Sequence, residues 1–562
     1  MNASPIDVLH IQHSVTPSEL TTYLSATQFE HFISNDQVCD WLSIVLPKKP
    51  QHHPLQSLFN KGIHFEATVL STLRLQFKLT LPKLSSLTTS REYTPYEHRL
   101  DLQSTITAMK RGDPLLYSAY MASEKEELRG IPDLLVRSDY IERYFGITDV
   151  PQEPSSFGDY YYIPIEIKYS SLSFDKTEKT LLNVHRTKLY KTQLCVYAKI
   201  LSDLQGVFPC CAFIIGKFSP GIQKTGPFTF PLGHVYFNTR DSDIRTLFYT
   251  GLEWLREVHK HAFNRQWVQD HLTVLLPNMK NHQPLYEKEK QLLCDHYGDV
   301  TEFWQCSVRH RVNLLDTTNQ TIYSWKHPDF SVDMLHVPAG YIKKIDALFE
   351  INKEKNRSIL QPKHITHDLY EWRTGPPSSS EWFIDFETTG NANEDEESTI
   401  YLIGIGQLKK SFSYTYFMAD SVSPGGEKNL LLSFYKYWKD NGSPRLWHWY
   451  ADESFWNRAC KKYDLDLTLT WLDLHKVFFE GEVMVKGCKN FKLKSYIYAL
   501  TQHKLINITL PPDDCCNGMD ALSLGEEYYE KKNKDILEMI LLYNKFDCEA
   551  LYVLLDMIRK KL

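Results

Sequence analysis

The sequence predicts an α/β protein with more than one domain. Two stretches, Ile163–Lys168 and Trp382–Glu387, alternate apolar and charged residues as strands do, and each is followed by further apolar segments and amphipathic helices. Between them, residues 245 to about 370 have the apolar spacing of helices. At 562 residues the chain is long enough for roughly three or four domains, each with a core of its own.

The composition is that of a globular protein, with 42% hydrophobic and 23% charged residues. A net charge of -6 disfavours indiscriminate coating of nucleic-acid duplexes, although it leaves room for local basic patches. Because no apolar run of about eighteen residues is present and the N-terminus lacks a signal-peptide pattern, we expect no membrane span and no secretion. The eleven cysteines lack C-x-x-C spacing, which favours reduced thiols in an intracellular protein of the cytoplasm or nucleus.

The segment Ile163–Lys168 is predicted to be a buried strand. Side chains two apart on a strand share a face, so Glu166 and Lys168 project together while Ile165 and Ile167 point into a core. A carboxylate and an ammonium are costly to bury unless they are paired or bound to a metal. The alternative is an edge strand whose polar face is solvated.

The elements around this strand predict a small α/β domain. A helix is expected from Lys61, Gly130–Val136 reads as a turn into a strand, Asn183–Leu201 is an amphipathic helix, and Cys211–Ile215 is a short buried strand. Helix, strand, strand, helix and strand follow one another in that order, which is typical of a layered α/β fold.

Chemistry-bearing residues occur on each of the first four elements. Hard Mg²⁺ or Mn²⁺ prefers carboxylate oxygens and keeps waters, one of which can attack a phosphodiester. A lysine beside the metal can orient that water and offset charge that develops on the phosphate. The residues are Glu66, Asp133, Glu166, Lys168, Gln193 and Tyr197, the last two one helical turn apart.

The series Glu66, Gly-x-x-Asp133, Glu166-x-Lys168 and Gln193-x-x-x-Tyr197 resembles the RecB-like PD-(D/E)XK nucleases. The resemblance implies a restriction-endonuclease-like fold in which Asp133 and Glu166 ligate metal, Glu66 completes the site and Lys168 is catalytic. Gln193 and Tyr197 would contact nucleic acid or support the site.

Two further features of that family are less well matched. Some members carry a metal-ligating histidine near the position of His64, but its offset from Glu66 leaves that role open. Several members hold a four-cysteine iron–sulfur cluster, but the required triplet of cysteines is absent here, so no cluster is expected.

A second group of carboxylates lies in the C-terminal part of the chain. Asp385 and Glu387 share a strand face, and like charges that close favour a cation between them. Tyr543 and Asp547 are at i and i+4 of a predicted helix. The chain between them holds Asp452, Glu453 and Asp473.

This order of residues resembles the tyrosine-bearing DEDD exonucleases of the RNase H-like fold. By that resemblance Asp385, Glu387, a middle carboxylate and Asp547 hold two metal ions, and Tyr543 positions the attacking water. Asp452 and Glu453 lie about 100° apart on a helix, so only one can face the metals. Their spacing from His448 slightly favours Glu453, and Asp473 is a nearby supporting residue.

The resemblance extends to the arrangement of the domains. A RecB-like nuclease joined by a helical region to an RNase H-like domain is known among predicted nucleases of bacteria, eukaryotes and large DNA viruses. The predicted parts are a helical N-terminal extension (1–60), the nuclease domain (61–244), a helical connector (245–373) and the RNase H-like domain (381–562). Thr374–Ser380 is the predicted linker.

The sequence therefore predicts a metal-dependent nuclease with two sites, acting in DNA repair, recombination or replication. The expected cofactor is Mg²⁺ or Mn²⁺, and the expected substrate is DNA, with RNA as the alternative. A nucleic-acid-binding adaptor and a nuclease with a single live site are the competing hypotheses. Because the chain has no phosphate-binding loop of the ATPase type, a helicase that works with it would be a separate chain.

Overall fold

The computed structural model describes most of the chain. The described residues are 4–11, 23–46, 56–79, 100–175, 180–217, 228–318, 337–353, 356–366, 369–373, 380–389, 398–511 and 518–562. Residues 374–379, which make up most of the predicted linker, lie outside this set.

The chain alternates helices and strands throughout, as predicted for the α/β class. The helices are α1 (Pro5–Val8), α2 (Glu30–Ile33), α3 (Val38–Val45), α4 (Gln56–Phe77), α5 (Leu102–Arg111), α6 (Ile141–Phe145), α7 (His185–Gln205), α8 (Ser242–His261), α9 (Arg265–Asp270), α10 (Glu287–Tyr297), α11 (Val308–Thr318), α12 (Ala339–Asn352), α13 (Pro424–Asp440), α14 (Asp452–Lys462), α15 (Leu474–Glu480), α16 (Leu493–Gln502), α17 (Gly518–Lys531) and α18 (Lys534–Lys561). The strands are β1 (Leu24–Ser25), β2 (Leu115–Tyr117), β3 (Met121–Ser123), β4 (Leu128–Gly130), β5 (Leu134–Arg137), β6 (Tyr162–Ser171), β7 (Cys211–Lys217), β8 (Leu232–Tyr236), β9 (Leu360–Gln361), β10 (Glu381–Thr389), β11 (Thr399–Leu408), β12 (Phe412–Met418), β13 (Arg445–His448), β14 (Trp471–Asp473) and β15 (Met484–Val485).

These elements form two compact units. The first consists of Met1–Gln51 and Leu58–Leu293, and the second of His52–Ser57 and Cys294–Leu562. None of the described helices has both the length and the apolar character needed to cross a membrane.

The first unit is built on a five-stranded sheet in the order β2-β5-β6-β7-β8. The strand predicted at Ile163–Lys168 is β6, which pairs with β5 on one side and β7 on the other. The edge-strand alternative is therefore wrong, because β6 lies in the middle of the sheet.

Helices cover both faces of this sheet. Ile163, Ile165 and Ile167 pack with apolar residues of α4 and α6. The opposite face, to which Tyr162 belongs, packs with α7 and α8. Since alternate residues of β6 face opposite layers, Glu166 and Lys168 lie on the side of α7.

The second unit contains a five-stranded sheet in the order β12-β11-β10-β13-β14. Its first three strands in the chain are antiparallel neighbours, whereas β13 and β14 run parallel to β10. The predicted hairpin-like pairing of Trp382–Glu387 with Ile400–Ile405 is confirmed by the β10–β11 register.

The two faces of β10 have different neighbours. Trp382, Ile384 and Phe386 pack against α13 and α14. Phe383, on the other face, packs in a core that includes residues of α16 and α18. The intervening residues Asp385 and Glu387 therefore face α18.

One helix of the predicted connector is interrupted. The sequence predicts a single helix over Val300–Leu315, but the structure has a short 3-10 turn at Val300–Glu302 followed by α11. Asp299 caps the turn by accepting the Thr301 N–H at 2.7 Å, and it also pairs with Arg311 at 2.6 Å. These tertiary contacts outweigh the helical periodicity of the segment.

A buried ion pair joins the N-terminal segment of the first unit to α10. The Lys290 ammonium lies 2.7 Å from Asp36 Oδ2, and both side chains are buried. Lys290 also donates to the carbonyls of Asn278 and Asn281, while Asp36 Oδ1 accepts the Asn278 N–H.

Lys290→Met is expected to destabilise the protein by about 3–5 kcal/mol, because it leaves the buried Asp36 carboxylate without its counter-charge. Chemical unfolding followed by circular dichroism measures the loss. Lys288→Met, at an exposed position of the same helix, is the matched control and should change stability by less than about 0.5 kcal/mol. Equal stability of the two variants would contradict the importance of the pair.

Candidate active sites

The first cluster of charged residues lies on β6. Glu166 is buried and Lys168 half-buried, and Lys168 Nζ lies 2.5 Å from Glu166 Oε2. The other carboxylate oxygen, Glu166 Oε1, is buried and has no hydrogen-bond partner among the residues that the structure describes. Burial disfavours the ammonium, but the Glu166 and Asp133 carboxylates outweigh it and raise the pKa of Lys168 above its usual value.

Asp133 is fixed to the backbone of the same strand. Its Oδ2 accepts the N–H of Ile167, the residue between Glu166 and Lys168, at 2.7 Å. Asp133 directly precedes β5, which begins at Leu134, one residue later than the strand start predicted at Asp133. Because β5 pairs with β6 no further than Ile165, this side of Ile167 is open to the carboxylate.

Glu66 joins the cluster from α4. Its Oε1 accepts a hydrogen bond from the Tyr117 hydroxyl at 2.9 Å. Burial raises the pKa of Glu66, and the charge of Glu166 raises it further. The pKa of Asp133 is well above its usual range, first through burial and then through Glu166 and Glu66. Carboxyl groups from three separate parts of the chain are therefore close enough to influence one another's ionisation.

Helix α7 adds the two polar residues predicted for this site. Gln193 Nε2 donates to the Tyr197 hydroxyl at 2.8 Å, and burial together with the Glu166 charge raises the pKa of Tyr197. A Cβ at Gly130 would lie 2.4 Å from Tyr197 Cε1. The glycine of Gly-x-x-Asp133 is thus required for the close approach of this ring.

His64 is not brought to the cluster. Its side chain is exposed, and on a helix two residues apart it points about 160° away from Glu66. The sequence-based role of His64 as a metal ligand therefore has no support in its placement.

The second cluster lies on β10 opposite α18. The Asn544 amide donates to Asp385 Oδ2 at 2.8 Å and to Glu387 Oε1 at 3.2 Å, and its own oxygen accepts from the Tyr414 hydroxyl at 2.8 Å. Asp385 pairs with Gly404 across the sheet. A Cβ at Gly404 would lie 1.7 Å from Asn544 Oδ1, so only glycine admits the amide.

Of the two middle carboxylates, the structure places Asp452 in this cluster. Asp452 Oδ1 accepts the N–H of Phe386, the residue between Asp385 and Glu387, at 3.1 Å. Asp452 is buried, whereas Glu453 is half-buried on the next position of α14. The preference for Glu453 gains no support from this placement, because the Phe386 N–H is accepted by the carboxylate one position earlier. Which of the two binds a metal stays a prediction.

Asp547, Tyr543 and Lys494 complete the cluster. Lys494 Nζ lies 2.6 Å from the Tyr543 hydroxyl and 4.0 Å from the centroid of its ring. Within the described part of the chain, the buried Asp547 Oδ1 has no hydrogen-bond partner. Burial raises the pKa of Asp547 to about 6, although the Lys494 charge opposes this.

Two further carboxyl groups of the second cluster, those of Asp385 and Glu387, also have raised pKa values. Burial, then the Asp547 and Glu387 charges, raises the pKa of Asp385 well above its usual range. Burial and the Asp547 charge raise the pKa of Glu387 to about 8. These groups are thus close enough to repel one another when ionised.

Asp473 has a supporting position. It caps α15 by accepting the Lys476 N–H at 3.4 Å, and it accepts the Tyr450 N–H at 3.1 Å. His448, whose two ring nitrogens are buried without hydrogen-bond partners, lies 3.6 Å from Asp452 Oδ2.

The unpaired oxygens of Glu166 and Asp547 suit a hard divalent cation, which binds carboxylate oxygens. Within the described ranges, however, no three His, Cys, Asp or Glu side chains are arranged so that they could hold a metal ion. The residue types therefore fit a metal ion, although the described side-chain positions do not form a complete ligand set.

Sequence reasoning missed three residues of the second cluster. Asn544 is three positions before Asp547, a spacing that places both on one side of a helix, so its signal was present. Lys494 lies in a basic stretch that reads as a solvated helix face, and Tyr414 is separated from Asn544 by 130 positions. No sequence signal indicates the last two contacts.

A protein-family model matches the part of the chain that holds the second cluster. The RNase_H_2 model, described as RNase_H superfamily, matches residues 382–559, which include every residue of this cluster. A search of curated proteins gave no match. The C-terminal part of the chain is an RNase H-like domain, and the match indicates a nuclease-type function on nucleic acid.

The pKa of Glu387 generates a stability prediction for the metal-free protein. Its carboxyl binds the proton more tightly when folded, so its contribution is fully present below pH 4.5 and is lost as the pH rises through about 8. Glu387→Gln does not ionise, and its melting temperature should rise relative to wild type between pH 5 and pH 8.

Thermal melts in EDTA measure this difference, and added Mg²⁺ or Mn²⁺ should stabilise the wild type more than Glu387→Gln. Glu538→Gln, at an exposed position of α18, is the control and should show no pH-dependent difference. A constant difference between Glu387→Gln and wild type across this range would contradict the raised pKa.

Proposed function

We propose that this protein is a metal-dependent nuclease with two hydrolytic sites on one chain. The observation that carries the proposal is the convergence of Asp385, Glu387, Asp452 and Asp547, of which the last three are buried, in one cluster within the RNase H-like domain. Burying carboxyl groups together is costly unless a cation offsets their repulsion. Phosphodiester hydrolysis uses such a cation.

The RNase H-like site is proposed to remove nucleotides from a 3′ end by in-line attack of water. Tyr543 would orient that water, and Lys494 would hold the Tyr543 hydroxyl in place through their 2.6 Å contact. Asn544 would hold the carboxylates of Asp385 and Glu387 in place by donating a hydrogen bond to each. Divalent cations, when bound, would stabilise the charge that develops on the phosphate.

The first unit is proposed to carry a RecB-like PD-(D/E)XK site that cleaves DNA. The anchoring of Asp133 to Ile167 N–H supports this, because it brings a second carboxylate beside Glu166 and Lys168. Glu66 adds a third carboxyl group. Lys168 would orient the attacking water, and Gln193 and Tyr197 would support the site.

A nuclease with one active site is the second candidate. The Lys168 ammonium pairs directly with Glu166 at 2.5 Å, and metal binding would require the carboxylates to turn toward a shared ion. A fold that binds nucleic acid without cutting it could keep this ion pair permanently.

DNA is the proposed substrate, in repair, recombination or replication, with RNA as the alternative.

Cleavage assays separate these possibilities. The full chain is incubated with Mg²⁺ or Mn²⁺ and with 5′- or 3′-labelled single- and double-stranded DNA and RNA. Lys168→Ala and Asp385→Ala are each expected to abolish a different set of products, because each removes a residue of one site. Removing one such residue typically lowers the cleavage rate about 10²-fold or more.

Lys125→Ala and Asp440→Ala, both at exposed positions, are the matched controls and should cut like wild type. A wild type that cuts nothing with either metal would refute the nuclease proposal. Products that disappear with Asp385→Ala but never with Lys168→Ala would support the single-site candidate.

Gly404→Ala tests the packing of the second site. The added methyl would collide with Asn544 Oδ1, so Asn544 must move and release Asp385 and Glu387. We expect at least a tenfold loss of 3′-end trimming, while products that depend on Lys168 remain. Gly340→Ala, where a Cβ meets no atom within 4 Å, is the control and should trim at the wild-type rate.

A further inference from the structure

Tyr450 lies beside the second cluster in the connection between β13 and α14. It is two residues from Asp452, so their α-carbons are at most about 7 Å apart. Its side chain is 71% exposed. A large aromatic ring is thus exposed to solvent two residues from one of the clustered carboxylates.

The backbone of Tyr450 is in the left-handed region, with φ of +72°. For a bulky residue this conformation is a genuine outlier, because Cβ crowds the neighbouring carbonyl. Glycine or asparagine would adopt it more easily. The tyrosine therefore persists where the backbone would favour a smaller residue.

Two neighbours hold Tyr450 in this conformation. Asp473 Oδ1 accepts its backbone N–H at 3.1 Å. The His475 ring lies 5.2 Å away at an angle of 68°, so it packs edge-on against the tyrosine. His475 is itself stacked on Phe479 at 5.5 Å and packs against Trp449 at 5.4 Å. The tyrosine ring therefore packs against a group of aromatic side chains on one side and is exposed to solvent on the other.

We propose that Tyr450 is a stacking platform for a nucleobase near the 3′ end of a single-stranded nucleic acid; this inference rests on the proposed function of the RNase H-like site. Every base has a π-face, so an exposed aromatic ring binds single strands without reading their sequence. Placed beside Asp452, the ring would hold the terminal segment while its phosphodiester lies at the carboxylates. Asp473 acts as a positioning residue for Tyr450.

The test measures trimming of a 5′-labelled single-stranded oligonucleotide by the full chain carrying Lys168→Ala, so that cleavage reports on the second site. Tyr450→Ala should raise KM about tenfold, as expected for loss of one base-stacking contact, and leave kcat within about twofold. Tyr450→Phe keeps the ring and should behave like wild type. Tyr249→Ala, an exposed tyrosine of the first unit, is the control.

Abasic substrates identify the contact directly. Oligonucleotides that lack the base at the last, second-last or third-last position are compared with intact ones. For the parent protein, which keeps Tyr450, one of the three abasic oligonucleotides should have a raised KM. The increase should equal the one that Tyr450→Ala causes with the intact oligonucleotide. The same abasic position should add no further increase in the Tyr450→Ala variant.

Tyr450→Gly separates stacking from folding. Glycine adopts a positive φ without strain, so its melting temperature should equal or exceed that of the parent, whereas its KM should rise as for Tyr450→Ala. A lowered melting temperature with unchanged KM would assign Tyr450 a purely structural role and overturn the platform.

The remaining outcomes also discriminate. Trimming that Asp385→Ala abolishes but Tyr450→Ala leaves unchanged overturns the platform and leaves the nuclease standing. An abasic penalty that is identical with and without the tyrosine ring also overturns the platform. If the parent protein neither trims nor binds the oligonucleotide, both the proposed function and the platform fail.

Discussion

Both charged clusters depend on a strand N–H that the sheet leaves unpaired. In the first unit β5 diverges from β6 after Ile165, and Asp133 accepts the free Ile167 N–H. In the second unit β13 pairs with β10 only to Phe383, and Asp452 accepts the Phe386 N–H. A buried N–H requires an acceptor. Each acceptor is a carboxylate, and each N–H lies between two charged residues. The backbone hydrogen bond therefore brings the accepting carboxylate close to the charged side chains of the strand.

The two clusters offset their negative charge in different ways. In the first, the cation is on the same strand, where Lys168 pairs with Glu166. In the second, α18 supplies the Asn544 amide that joins Asp385 to Glu387. The Lys494 cation comes from a different helix, and its charge opposes the upward pKa shifts of both acids. The counter-charge of the first cluster is thus local to one strand, whereas that of the second depends on the packing of helices against the sheet.

The Tyr450 turn shows how neighbouring residues hold a strained backbone conformation. A backbone conformation that disfavours large side chains persists only where its surroundings determine it. Asp473 supplies one such constraint through the Tyr450 N–H, while it also caps α15. The Asp473 carboxylate thus joins the turn before α14 to the start of α15. Its supporting role at the site stays a prediction.

The sequence by itself predicted the strands, the long helices and most of the charged residues of the two clusters. The period-two and period-3.6 patterns that indicate these elements are local. The sequence placed Asp385 beside Glu387 and Tyr543 one turn from Asp547, and the RNase H superfamily match covers those positions. Only the tertiary structure decided that β6 is central, that Asp452 rather than Glu453 joins the cluster, and which distant residues contact it. Such contacts depend on where strands diverge and how closely α18 approaches Gly404. Neither feature leaves a periodic trace in the sequence.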